Sequence, residues 1–401
     1  AQPLSRVHFS SLDGIRGLAI LLVLLHHYGR SARAAGMDSP VLKISEFGWC
    51  GVDLFFVLSG FLITGILFDT RQQDNRFRNF YARRALRIFP LYYVTLALVA
   101  VVGTVWVSLD VWGTGNPHWI ALYATNIVMA INGPAAGGIL GHYWSLAIEE
   151  HFYLVWPLFV FARSRRQLIA ISSGVLLVAL ALRTYTVLSG ARGDISYFLT
   201  PMRIDALAAG ALVALAVRGK SDLSALLRPA FHVTTACGLL MLAIILSRRT
   251  LSPYDPMMQS VGFTILALGF SALLIIGMAC RPVEAILSMR ILRWFGKYSY
   301  GIYVLHPVVN IMAFHPETRT SLGISGSAAT SMYIAVIFCA VLWISVLSYR
   351  YLERPFLTLK SHFSAEAGSR AIPGTFAPER GLVGSREALT RTSSVGVDGL
   401  K

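Results

Sequence analysis

Apolar residues run in long unbroken stretches along this chain rather than alternating with polar ones. The clearest are Leu91–Val107, Leu168–Leu188, Val233–Leu246, Val261–Ala279 and Ala328–Leu347. A helix of about 20 residues rises roughly 30 Å, the thickness of a bilayer's hydrocarbon, so each stretch predicts a spanning helix. The full set reads as 12–28, 51–68, 88–107, 142–161, 168–188, 203–217, 230–247, 259–279, 298–314 and 329–349. The predicted fold is all-α, a polytopic membrane helix bundle of about ten transmembrane helices. The stretch 118–131 is apolar but short and reads as a re-entrant or interfacial helix; if it crossed, every later helix would reverse direction.

Composition agrees with a bilayer setting. Of 401 residues, 55% are hydrophobic and 14% charged, against roughly 25% charged in a soluble domain. A net charge of +15 would suggest nucleic acid in a soluble protein. Here the Lys and Arg concentrate in short loops, where membrane topology already places them, and nucleic-acid binding is not expected. With ten spans and the N-terminus inside, the inner loops hold sixteen basic residues and the outer loops seven. That asymmetry predicts both termini in the cytoplasm of a bacterial-type inner (plasma) membrane. The first apolar run follows Asp13 and Arg16, ends in His26-His27 and lacks a small-residue cleavage site, so it reads as a span rather than a cleaved signal. A first residue of Ala1 suggests that an initiator Met or short leader precedes it. Residues 1–355 form the predicted transmembrane domain. Residues 356–401, rich in Gly, Ser, Thr and Ala, read as a flexible cytoplasmic tail. Cys50, Cys237, Cys280 and Cys339 are scattered without metal-ligand spacing and read as small apolar fillers.

Ionisable groups inside spans each ask for a reason, because burying one in hydrocarbon costs a few kcal/mol or more. Arg16 and His27 share a face of span one, about 16 Å apart along the axis. Two readings stand: interface markers at either end, or members of an interior site. His26 points about 100° away and reads as interfacial. Glu149 and Glu150 enter span four side by side, so at least one must be protonated or ion-paired. Asp53 opens span two; Arg203 and Asp205 open span six, either as a local pair or as part of a wider site. The topology puts His27, Asp53, Glu149 and Arg203 near the outer half of the membrane, from four different helices. At the inner mouth of span three, Arg83, Arg84 and Arg87 lie among aromatics, with Arg84 and Arg87 on one helical face. Guanidinium forks suit phosphate oxygens, though ordinary positive-inside anchoring also accounts for them. His142 and His151 have no matching partner for a metal site and read as interfacial.

Six segments together resemble acyltransferase family 3, the integral membrane acyl-CoA-dependent O-acyltransferases. They are Ser11-Leu-Asp-Gly-Ile-Arg-Gly to His27; Gly51-Val-Asp-Leu-Phe-Phe-Val-Leu-Ser-Gly; and Arg83-Arg84-Ala-Leu-Arg87-Ile-Phe-Pro. The others are Tyr143-Trp-Ser-Leu-Ala-Ile-Glu-Glu; Arg203-Ile-Asp-Ala-Leu-Ala-Ala-Gly210; and Gly296-Lys-Tyr-Ser-Tyr-Gly to His306-Pro307. They occur in the family's order and cover 11 to about 355 of the sequence. The resemblance implies transfer of an acyl group, often acetyl, from cytoplasmic acyl-CoA to a sugar hydroxyl on a polysaccharide, lipid-linked glycan or glycosylated metabolite. It implies catalytic roles for His27, Glu149 and Arg16, and CoA-phosphate contacts for Arg84 and Arg87, with Arg83 beside them. Glu150 and His26 carry weaker claims. Some family members bear a C-terminal hydrolase-like domain that finishes the transfer; its absence here implies a form that acts alone.

A sugar hydroxyl is a poor nucleophile and a thioester is already activated, so the chemistry needs a base, close approach and oxyanion stabilisation. His27 is the expected base, with Glu149 orienting the imidazole or holding its proton. Arg16 lies along the way to contact the donor. A covalent relay through His27 or Ser145 is the other route. Asp53, Ser145, Arg203, Asp205 and His306 form the remaining polar set. No metal is expected. The rival class is a proton-coupled transporter, which also buries His, Glu, Asp and Arg; the absence of an internal repeat opposes it.

Overall fold

The computed structural model describes residues 9–105, 111–113, 116–219, 222–314, 318, 321–324 and 326–363. Among them the chain is helical without a strand. The long helices are α1 (Ser10–Ala34), α2 (Gly51–Thr70), α3 (Arg76–Val105), α4 (Tyr143–Ala162) and α5 (Arg165–Leu188). They continue as α6 (Thr200–Val217), α7 (Leu227–Arg248), α8 (Phe263–Ala279), α9 (Arg290–Ala313) and α10 (Ser327–Ser348). The ambiguous stretch 118–131 falls into two short helices, Pro117–Ala121 and Thr125–Asn132. The longer has 8 residues, about 12 Å at helical rise, well short of a bilayer. Helical turns Arg354–Thr358 and Leu359–Phe363 follow α10; the rest of the predicted tail, 364–401, lies outside the described residues.

Seven helical segments among the described residues are long and apolar enough to cross a membrane, and the chain is a multi-pass membrane protein. They contain α2, α3, α5, α6, α7, α8 and α10. The long helices left out are α1, α4 and α9, of 25, 20 and 24 residues. Length does not exclude them; their polar content does. They carry Asp13, Arg16, His26 and His27; Glu149, Glu150 and His151; and Lys297 and His306. α2, α6 and α8 are the most enclosed of the apolar helices, whereas α5, α7 and α10 turn Leu177, Leu239 and Trp343 outward. In a bilayer, outward apolar side chains meet lipid of equal polarity, so they need no protein partner.

Without a hydrophobic force between helices, close backbone approach at small residues holds such a bundle together. Two pairs use it. A Cβ on Gly17 would lie 2.0 Å from the Leu292 carbonyl oxygen, and one on Gly296 1.9 Å from that of Asp13. Ser10 Oγ meets Ser288 Oγ at 2.7 Å one end down. Ser10 meets Ser288, Gly17 meets Gly296 and His27 meets His306, so contacts advance together along both helices and α1 and α9 run in the same direction. In the second pair, a Cβ on Gly60 would lie 1.9 Å from Leu207 O, and one on Gly210 1.9 Å from Val57 O. α2 and α6 also run parallel, tied at one end by Asp53–Arg203 (2.7 Å) and at the other by Asp69–Arg218 (2.6 Å).

Leucine at position 17 or 296 must therefore drive α1 and α9 apart. Gly17→Leu and Gly296→Leu are expected to lower the thermal midpoint in detergent sharply or abolish folded protein. Gly174→Ala, in open space on α5, should be neutral or raise stability by up to ~1 kcal/mol. Fluorescence size-exclusion thermal shift checks both; a tolerated Gly17→Leu would show that the contact does not set the packing.

Candidate active site

The α1–α9 contact places two imidazoles at one depth. His27 stands ten residues beyond Gly17, and His306 ten residues beyond Gly296. Because the helices run parallel, both rise about 15 Å from the glycine contact, and their ring centroids lie 4.9 Å apart, edge to face. His142, immediately before α4, brings a third imidazole to 6.0 Å from His306. Tyr303, one turn before His306, completes this histidine tier, with hydrogen bonds to Ser145 Oγ and, at 3.1 Å, to the His142 carbonyl.

Pro307 marks the turn of α9 that serves this tier. Its missing N–H leaves the Tyr303 carbonyl without a ladder donor, and the carbonyls on either side of it, of Ile302 and Val304, each accept from an imidazole. His306 Nδ1 donates to Ile302 O at 2.8 Å, and His142 Nε2 donates to Val304 O at 3.1 Å. A carbonyl only accepts, so the His306 proton sits on Nδ1, and Nε2 is left as an acceptor. That Nε2 is buried and without a hydrogen-bond partner among the described residues. His27 is only half-buried, and its ring nitrogens have no hydrogen-bond partner there.

Glu149 lies elsewhere. It is seven residues along α4 from His142, about 10 Å toward the opposite end of the bundle. Its charged neighbours are Arg84 and Arg16, and its Oε2 accepts from Tyr153 OH at 2.8 Å. Tyr153 OH in turn meets Ser59 Oγ of α2. Arg16 pairs with Asp13 at 3.1 Å and has Arg87 and Arg84 as charged neighbours. Arg84 lies 5.7 Å from the Tyr153 ring, with Glu150 nearby. These groups form a second tier, of guanidiniums and carboxylates. The structure thus brings Glu149 to Arg16 and Arg84 rather than to His27, and the expected imidazole–carboxylate dyad is not among the contacts. His26, with Nδ1 2.9 Å from Glu46 O, is tied to the loop before α2.

The remaining predicted polar residues build a clamp. Arg203 and Asp205 do not pair with each other, because residues two apart on a helix point to different sides. Arg203 binds Asp53 at 2.7 Å, and Asp205 binds Arg183 of α5 at 2.8 Å; all four side chains are at most 1% exposed. Arg183 also donates to the Met202 carbonyl and, at 2.5 Å, to Thr264 Oγ1 of α8. The Arg203 guanidinium lies 3.8 Å from the Phe263 ring centroid. Arg183 went unread in the sequence although it interrupts the apolar run Leu168–Leu188. An arginine between Leu182 and Thr184, inside an otherwise apolar span, was the available signal.

Ser145 is 3% exposed beneath Tyr303, so its hydroxyl is occupied in the fold. Among the described residues, no group of three or more His, Cys, Asp or Glu is arranged to hold a metal ion. Breaking one partner of a buried ion pair typically costs about 3–5 kcal/mol, whereas replacing both is far milder. Arg183→Leu alone should therefore lose folded protein, and Arg183→Leu with Asp205→Leu should regain much of it. Thermal midpoints in a double-mutant cycle test this, and additive losses would contradict the pairing.

A family model described as acyltransferase domain matches residues 9–350. The putative peptidoglycan O-acetyltransferase YrhL of Bacillus subtilis is 30% identical over 393 residues, covering 88% of this chain and 55% of that protein. The peptidoglycan O-acetyltransferase OatA of Listeria monocytogenes is 28% identical over 371 residues, covering 88% and 56%. A putative O-acetyltransferase of Staphylococcus aureus (strain COL) is 27% identical over 376 residues, covering 87% and 57%. The chain spans a little over half the length of these relatives. No solved structure matches it.

Proposed function

The chain belongs to the acyltransferase family, and from that premise we propose that it moves an acetyl group from cytoplasmic acetyl-CoA to a sugar hydroxyl of a cell-envelope glycan. Peptidoglycan is the first acceptor to test, since two relatives are named for it. The observation that carries the reading is the two-tier polar column: guanidiniums of Arg16, Arg84 and Arg87 at one level, imidazoles of His27, His142 and His306 at the other.

Ten crossings belong to this reading. Adding α1, α4 and α9 to the seven apolar helices makes α1 the first and α9 the ninth, which agrees with their parallel course. The charge asymmetry of the loops then puts the guanidinium tier and both termini on the cytoplasmic side of the plasma membrane. Acyl-CoA enters there, its phosphates held by Arg84 and Arg87 with Arg83 at the rim. Arg16 and Glu149, joined to Tyr153 and Ser59, line the way upward.

At the outer tier His27 takes the proton from the acceptor hydroxyl as its oxygen attacks the thioester carbon. The carbon–sulfur bond breaks, the CoA thiolate leaves, and the imidazolium returns the proton to sulfur. The lone pair on His306 Nε2, buried and unpartnered beside the His27 ring, would accept a hydrogen bond from one His27 nitrogen as that ring turns, fixing the tautomer and leaving the other nitrogen as the base. The Tyr303 hydroxyl would have to turn from the His142 carbonyl to serve the oxyanion, since the His142 proton is already held by Val304 O. General base transfer is favoured over a Ser145 relay because that hydroxyl is buried and bonded. The family match spans the charged groups on which a transporter reading relied, and that alternative is set aside.

The test is transfer of label from radiolabelled acetyl-CoA to purified peptidoglycan by the protein in proteoliposomes. His27→Ala should lower turnover by about 10²-fold or more while leaving the thermal midpoint in place. Near-normal turnover would remove His27 as the base. Label appearing only on a different glycan would overturn the acceptor and keep the transferase.

A further inference from the structure

The segment after α10 carries a charge that the tiers above do not use. Arg354–Thr358 and Leu359–Phe363 fold back onto the first turns of α3, beyond the last residue matched by the family model. The Phe363 ring sits 6.0 Å from the Arg78 guanidinium, within cation–π range. That contact holds the turn carrying Lys360 against α3. The Lys360 side chain is half-buried, while Leu359 and Ser361 on either side are exposed.

The charged neighbours of the Lys360 ammonium are Arg87, Arg84 and Arg83, and no carboxylate is among them. Arg87 has Glu353 nearby and Arg84 has Glu150, whereas among the described residues the charged groups beside Lys360 are cations. A flexible lysine at a helix end, repelled by three guanidiniums, has water as its natural direction. A side chain turned inward against that repulsion marks a place where an anion of more than one charge completes the cluster. We infer that Lys360 is a ligand of a phosphate group, and that the Arg354–Phe363 strap forms the cytoplasmic wall of the donor site. The inference rests on acyl-CoA being the donor. A lipid headgroup offers the same phosphate chemistry, and the test separates the two.

The probe is CoA, titrated calorimetrically into the full chain in phosphatidylcholine nanodiscs. Lys360→Ala should weaken binding roughly tenfold or more, and Lys360→Arg should restore most of it. The thermal midpoint without CoA should hold or rise in Lys360→Ala, since a repelled cation is removed; a merely structural lysine would lower it. In the transfer assay, the KM for acetyl-CoA should rise with kcat nearly unchanged. Unchanged CoA affinity in Lys360→Ala, with Arg84→Ala still weakened, overturns the lysine's role and leaves the donor assignment intact. Unchanged CoA affinity together with reduced retention of phosphatidylglycerol assigns the site to a lipid and likewise overturns it. Failure of the unaltered protein to bind CoA would overturn the donor assignment itself, and the strap's role with it.

Discussion

The glycine contact between α1 and α9 is the constraint on which the arrangement depends. At Gly17 and Gly296 each backbone lies where the other's Cβ would be, so neither helix can slide or rotate without collision. The imidazoles ten residues further along inherit that register. A one-residue slip would turn one ring by about 100° and carry it out of the pair. Positional accuracy at the histidine tier is therefore held by residues with no side chain at all, about 15 Å away. The second glycine pair, Gly60 with Gly210, does the same for Asp53 and Arg203 seven residues from it.

The charges in the bundle fall into two kinds, told apart by what they touch. Arg183–Asp205 and Arg203–Asp53 are sealed and paired, and they join α5, α6, α2 and α8 around the short apolar helix α6. Their contribution is orientation: a buried guanidinium fork accepts few geometries, and an unsatisfied one in hydrocarbon is costly. His27, Glu149, Arg16 and Arg84 are half-buried instead. They lie deep among the helices and keep accessible surface, as side chains do when they line an internal passage. Sealed pairs build the frame, and the half-open groups are the ones the proposed reading assigns to the reactants.

Much of the frame was legible in the chain. Apolar runs of spanning length have one stable solution in lipid, a hydrogen-bonded helix, so the class and most boundaries follow from hydropathy. The polar helices α1, α4 and α9 were also readable, because their charges sit at fixed places within otherwise apolar segments. Partner choice was not. Sequence depth suggested that Glu149 and His27 share the outer half, yet α4 begins at His142 near the histidine tier, and Glu149 lies two turns further along. Helix rise alone separates them; what the sequence lacked was the level at which α4 starts. The same gap hid His142, which looked interfacial in sequence and in the fold bonds the Val304 carbonyl of α9. Arg203 and Asp205, close in sequence, find separate partners for a local reason that spacing could have revealed.

The two tiers also say which part of the donor has to move. Under the proposed reading, phosphates held by Arg84 and Arg87 cannot rise into the bundle, because carrying that charge through a low-dielectric interior is far costlier than leaving it at the guanidiniums. The thioester end is neutral and slender, and it alone reaches upward, past Arg16 and the Glu149–Tyr153–Ser59 chain. The acceptor, rich in hydroxyls, needs only to enter the outer tier. Acyl transfer then happens where neither partner's charge has to cross hydrocarbon, and the imidazole tier is the first level at which a neutral base meets both. Proximity in such a site comes from two shallow entries rather than one deep one. On that reading the proposed base belongs on α1, whose glycine contact fixes its depth, rather than on a loop at either face.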